Sequence, residues 1–181
     1  KIISPNFKIE YGLSISEIEN KFNKLIKYSN PGKDQKTLFI WPEGVFSGYN
    51  YNEILVFSDL IAKHFNKEHY IIFGVNKLDK KTGLVHNSLI LTNNKLQILQ
   101  GYNKRKLVPF GEFLPFENFF NKFGLKKITE GQGSFLKGGK QENIKINKLN
   151  ILPLICYEVI FTRFVQKRDV DTNLIVNISE D

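Results

Sequence analysis

Four short segments of this chain, residues 37–41, 70–75, 149–155 and 173–178, carry apolar side chains on nearly every position rather than on every second one. A strand of that kind has both faces covered, so the fold must place a layer on each side of it. Segments of helical period separate these strands. Ser14 and Glu17 have capping-box spacing, and Ile15, Ile18, Phe22, Leu25 and Ile26 then recur on one face until Asn30, Pro31 and Gly32 end the helix. A second amphipathic helix is predicted over residues 52–65, from Ile54, Leu55, Phe57, Leu60, Ile61 and Phe65.

The remaining elements complete a mixed α/β layout. Residues 1–4 read as an opening strand, followed by a turn at Pro5. Residues 84–92 and 96–102 read as a strand pair joined at Asn93 and Asn94, after a turn over residues 79–83. Residues 143–147 form another strand, and 159–167 a short helix. Between them, residues 103–139 are rich in Phe, Gly and Lys, with at most a short helix near 116–123. A loop of that length inside a compact domain is usually functional. No repeat or low-complexity linker divides the chain, so residues 1–181 read as one domain.

Composition excludes little. Lys and Arg number 26 against 18 Asp and Glu, a formal charge of +8, but the lysines are scattered and accompany abundant Asn, Ile and Phe, which reads as solvated faces in a compositionally biased chain. One cysteine rules out an internal disulfide. No stretch approaches the ~20 apolar residues that span a bilayer. The chain starts at Lys1, contains no Met, and stops at Asp181 just after an apolar strand-like run, so both ends read as cuts.

Three residues stand where chemistry concentrates in α/β proteins, at the carboxyl ends of strands. Cys156 closes the apolar run 149–155 just before a helix, where a turn exposes a nucleophile and backbone N–H groups favour its thiolate. Taken alone it reads rather as a small buried hydrophobe, which is what most lone cysteines are. Glu43 follows Trp41 and Pro42, whose apolar surroundings would raise its pKa and suit it as general base for a thiol; its alternative is an exposed loop acid. Lys104 follows the strand ending at Tyr102; near Cys156 it would lower the thiol pKa and stabilise an oxyanion, and otherwise it belongs to a solvated basic run with Arg105 and Lys106. His64, His69 and His86 lack metal-ligand spacing, the glycines form no dinucleotide or phosphate-loop pattern, and no nucleic-acid-binding module signature is present.

Taken together these residues resemble the carbon–nitrogen hydrolase (nitrilase) superfamily: Trp41-Pro42-Glu43 after a strand, Tyr102-Asn103-Lys104 with Leu107, and Cys156-Tyr157-Glu158 after an apolar strand, in that order. The closer similarity is to one branch, the apolipoprotein N-acyltransferases, and its most specific part is the segment from Lys104 through Pro109, Phe110, Gly111 and Glu112 to Pro115. The resemblance covers nearly the whole chain. It implies an α/β fold, a four-layer α-β-β-α sandwich of the nitrilase type, incomplete at the C-terminal end. It also implies Glu43 as general base, Cys156 as nucleophile and Lys104 as stabiliser of the tetrahedral intermediate. Glu112 corresponds to a second functional glutamate on the arm, and Tyr157 and Glu158 to functional residues flanking the nucleophile. No metal and no cofactor is implied.

The reaction implied takes an acyl chain from a phospholipid onto Cys156 as a thioester and passes it to the α-amine of a diacylglyceryl-cysteine lipoprotein terminus. The implied setting is the bacterial inner membrane, with the domain facing the periplasm and held there by flanking helices that this sequence does not contain. Phe110, Phe113, Phe116, Phe119 and Phe120 would then meet lipid, or else pack the loop onto its own domain. The nearest alternative is a soluble amidase or carbamoylase of the same superfamily, in which water resolves the acyl-enzyme; the next is a non-catalytic binding domain on the same fold. A nucleic-acid partner is not expected.

Overall fold

The computed structural model describes residues 1–8, 10–113, 135–166 and 168–180. Two sheets form its centre. The first has the order β1–β2–β3–β4, built from β1 (Thr37–Ile40), β2 (His69–Leu78), β3 (Val85–Thr92) and β4 (Ile98–Asn103). β1 runs parallel to β2, and the pairs β2–β3 and β3–β4 are antiparallel. The second sheet is β5 (Ile144–Ile146), β6 (Leu149–Ile155) and β7 (Leu174–Ile178), with β5 antiparallel and β7 parallel to β6.

Each face of the first sheet is buried, as the continuous apolar runs require. One face packs on helices α1 (Ile15–Ser29), α2 (Tyr51–Ile54) and α3 (Ser58–His64), where Phe22, Phe39, Trp41, Phe65 and Phe73 are fully buried. The Phe22 ring stacks on Phe46 at 4.4 Å and lies 4.9 Å from Phe57, and Trp41 sends its indole N–H to Ser29 Oγ at 3.0 Å. Burying each such ring contributes about 1.5–3 kcal/mol. The other face meets the second sheet through Ile72, Leu89, Leu91 and Tyr102 on one side and Ile144, Ile151, Ile155, Val176 and Ile178 on the other. Helices, sheet and sheet follow in order. The parallel crossover from β6 to β7 carries α4 (Thr162–Gln166). This is the α-β-β-α arrangement, in part.

Several predicted elements differ. Residues 1–4 make only an isolated bridge, Ile2 to Ile40, rather than a strand. The predicted helix over 52–65 breaks into α2, a 3₁₀ turn (Leu55–Phe57) and α3, because Asn50 caps the first piece and the turn redirects Phe57 and Ile61 into the core. The fourth strand begins at Ile98, not residue 96, since Leu96 sits at a φ of 57° inside the turn that Asn93 organises. The helix expected over 159–167 is a 3₁₀ turn (Cys156–Ile160) followed by α4. The short helix near 116–123 lies outside the described residues. No helix among those described is long and apolar enough to cross a membrane.

Candidate active site

The carboxyl ends of β1, β4, β6 and β7 converge, and four loops that leave them build one pocket of about 270 Å³. Glu43 is pinned between the two sheets by backbone alone. Trp41 N–H extends the ladder to Ile72 O at 2.8 Å, Gly74 N–H reaches Pro42 O at 3.3 Å, and Glu43 N–H reaches Ser179 O at 3.1 Å beyond β7. The chain can pass this close only because residue 74 is glycine: a Cβ there would stand 2.8 Å from Glu43 Cα.

Lys104 is 2 % exposed. Its backbone N–H donates to Asn87 O and its carbonyl accepts from Gly138 N–H, both at 2.8 Å, which fixes the side chain's origin. The ammonium then lies 2.9 Å from Glu112 Oε1 and 3.5 Å from Glu43 Oε1. Glu112 is delivered by a tight turn in which its own N–H reaches Val108 O at 2.8 Å and its Oε2 accepts from Val108 N–H at 2.9 Å. Asn87, on β3, donates to both carboxylates, at 2.7 Å to Glu43 and 3.0 Å to Glu112. All of these contacts fall on one oxygen of Glu43. Its Oε2 is buried and has no hydrogen-bond partner among the described residues.

Cys156 lies on the wall of the same pocket, at a φ of 54° where β6 turns into the 3₁₀ segment. A non-glycine residue there is strained by roughly 1–3 kcal/mol, and such turns lift a nucleophile out of its strand. Burial pushes the thiol pKa up and the Glu43 charge pushes it further; Lys104 and the Tyr157 N–H pull the other way without winning. The expected lowering of this pKa by Lys104 is therefore present but outweighed, and the resting form is the thiol. Burial also raises the Glu43 pKa, against the pull of Lys104 and Asn87. For Lys104, burial disfavours the ammonium, but Glu43 and Glu112 together hold its pKa above the ordinary value. A neutral thiol beside an under-bonded carboxylate and a fixed cation is an arrangement that can transfer a proton and then stabilise an oxyanion.

Tyr157 and Glu158 do not line the pocket. Tyr157 donates to Leu107 O at 2.8 Å and holds its ring 5.7 Å from the Lys104 ammonium. Glu158 is fully buried and saturated: it accepts from Tyr102 Oη, from the Arg105 and Lys106 N–H groups at 2.8 and 2.9 Å, and from Ile155 N–H at 3.0 Å. It ties the segment carrying Lys104 to the strand carrying Cys156, and so acts on the site through its frame. Two residues that line the pocket escaped the sequence reading. Asn87 looked like one polar position in a half-buried strand. Glu180 follows β7 as Glu43 follows β1, so the rule that selected Glu43 would have selected it too.

A carboxylate, an ammonium and a thiol are gathered where two face-to-face sheets end, and the fold that carries them is of the nitrilase type. The similarity to solved structures is of fold: a carbon–nitrogen hydrolase superfamily protein from Xanthomonas campestris matches over 91 % of this chain and 58 % of its own, with a TM-score of 0.58 at 20 % identity. No family model matches the chain. Its sequence relatives narrow the class, for the chain is homologous to the apolipoprotein N-acyltransferases. It is 31 % identical to that of Wigglesworthia glossinidia brevipalpis over 99 % of this chain and 37 % of the relative. It is 30 % identical to that of Rhodopseudomonas palustris over 89 % of this chain and 32 % of the relative. The chain thus spans about a third of the length of the curated relatives it matches.

Proposed function

We propose that this pocket is the acyl-transfer centre of an apolipoprotein N-acyltransferase, with Cys156 as nucleophile, Glu43 as general base and Lys104 as stabiliser of the tetrahedral oxyanion. The observation that carries this reading is the unpartnered Oε2 of Glu43, buried in the pocket wall that Cys156 shares. A buried carboxylate oxygen without a donor costs free energy unless something uses it. The Cys156 thiol, kept protonated by burial and by the Glu43 charge, has a proton to offer, and burial raises the basicity of the Glu43 carboxylate that would take it.

Glu43 takes the Cys156 proton, and the thiolate attacks the ester carbonyl of a phospholipid. Lys104, positioned by Glu112 and Asn87, neutralises the oxyanion; the C–O bond then breaks and Glu43 returns the proton to the leaving alkoxide. In the second half the α-amine of a diacylglyceryl-cysteine terminus attacks the thioester, the C–S bond breaks and the thiol is restored. A thioester suits this step because an uncharged amine can open it. Phe110, 44 % exposed on the turn that presents Glu112, is suited to lipid contact at the pocket rim. That fits a setting at the bacterial inner membrane facing the periplasm. Phe116, Phe119 and Phe120 lie outside the described residues.

The test is intact mass spectrometry of the complete natural protein, incubated with phospholipid, as wild type and as Cys156→Ala. A hydroxylamine-labile fatty-acyl adduct on the wild type alone is expected. Absence of the adduct, with ammonia released from small amides instead, would replace this reading with a hydrolase in which water resolves the acyl-enzyme.

A further inference from the structure

The pocket holds more negative charge than its own cation answers. Glu43, Glu112 and Glu180 all line it, and Lys104 is the sole cationic side chain among the described lining residues. The Lys104 ammonium is committed to Glu43 and Glu112. Glu180 has no hydrogen bond and no salt bridge among the described residues, although the loop that carries it is fixed by the bond from Glu43 N–H to Ser179 O at 3.1 Å. Its carboxylate lies over Gly44, with Oε1 2.8 Å from where a Cβ would be, so the absence of a side chain at 44 leaves room for it beside the base. Glu180 is an exposed residue at the pocket mouth, and the part of its carboxylate that is covered raises its pKa, with Lys104 opposing and Glu112 adding to the rise.

A second observation points the same way. Glu43 is 8 % exposed and its Oε2 lacks a partner. Once Cys156 carries an acyl chain it has no proton to offer, and that oxygen is open again. Two carboxylates on adjoining loops, after β1 and after β7, then line the pocket with oxygens that lack a donor, and a cationic group with several N–H bonds would answer both. Resting on the acyl-transfer reading above, we infer that Glu180 is the acceptor-binding residue of the second half-reaction, receiving the α-ammonium of the incoming amine as its counter-ion beside the Cys156 thioester. The ammonium releases one proton to solvent, and the neutral amine attacks the thioester carbonyl. Its surplus proton passes to Glu43 Oε2 and from there to the departing sulfur, which restores the thiol.

The experiment separates the halves. In the complete natural protein, Glu180→Gln keeps the shape and removes the charge. Thioester formation on Cys156 is followed by intact mass, and its discharge by an amine-terminated diacylglyceryl-cysteine peptide or by hydroxylamine, which is uncharged near pH 7.5. Thioester formation and hydroxylamine discharge are expected at the wild-type rate, with KM for the peptide raised about tenfold or more, the loss of one charge-assisted contact. An unchanged KM overturns the inference and leaves the acyl-transfer reading intact. Slower thioester formation also overturns it, by assigning Glu180 to the first half or to the fold. A wild type that never forms the thioester removes the acyl-transfer reading itself, and this inference with it.

Discussion

Glu43 and Glu158 are both buried carboxylates, one on each side of the Lys104 segment, and they are built in opposite ways. Glu158 is surrounded by the Tyr102 hydroxyl and three backbone N–H groups, and both of its oxygens are used. Glu43 has one oxygen shared by Asn87 and Lys104 and the other with none. A buried charge that is fully hydrogen-bonded is stable where it sits and has nothing left to give. A buried charge left short of donors is held in a higher-energy state that proton transfer relieves. The saturated glutamate therefore sets the frame, and the unsaturated one is free for chemistry.

Three substitutions test this contrast, taken from the largest expected effect. Glu158→Ala strands a hydroxyl and three amide N–H groups, each worth about 1–3 kcal/mol when buried without an acceptor. The expected loss is on the order of 4 kcal/mol or more, and thermal unfolding should fall by about 10 °C for a chain of this size. A melting temperature within a degree or two of wild type would mean that Glu158 is not the brace its hydrogen bonds describe.

Glu43→Gln should do the reverse, lowering thioester formation by about 10²–10⁴-fold, as loss of a general base does, without weakening the fold. Its stability has a definite sign with pH. The folded-state pKa of Glu43 is raised, so the ionised form is disfavoured by folding. That penalty is absent below the unfolded pKa of ~4.3; it appears as pH rises from there and is complete above the raised folded value. Melting curves of the variant and the wild type should therefore coincide near pH 4, with the variant more stable near pH 8. Should the variant lose stability at high pH, Glu43 would be a structural ion pair with Lys104 and the contrast with Glu158 would disappear.

The smallest effect concerns the backbone. Cys156 holds a φ of 54°, which glycine adopts without steric penalty. On the acyl-transfer reading Cys156→Gly abolishes thioester formation along with the thiol, yet it is expected to leave the fold at least as stable, by up to about 1 kcal/mol, because the strain removed exceeds glycine's entropy cost and the small burial lost. Denaturant unfolding reads this directly. A clear loss of stability would show that the thiol's packing outweighs the turn's strain.

The sequence by itself determined the layers and the three groups at strand ends. Continuous apolar runs at 37–41, 70–75 and 149–155 demand cover on both faces, and helical spacing over residues 15–26 supplies part of it. These are local patterns, written within one segment, and so are readable one segment at a time. The motifs around Glu43, Lys104 and Cys156 were legible for the same reason, and their family resemblance added the roles. What only the tertiary structure decided is which segments meet. Asn87 matters because β3 lies between β2 and β4, which brings its amide between Glu43 and Glu112. Glu180 matters because Ser179 is hydrogen-bonded to Glu43 across the two sheets. Cys156 looked set for a lowered pKa beside Lys104, yet burial and the charge of Glu43 raise it. The balance of desolvation against nearby charge depends on distances between residues far apart in the chain, and no spacing along the sequence encodes those distances.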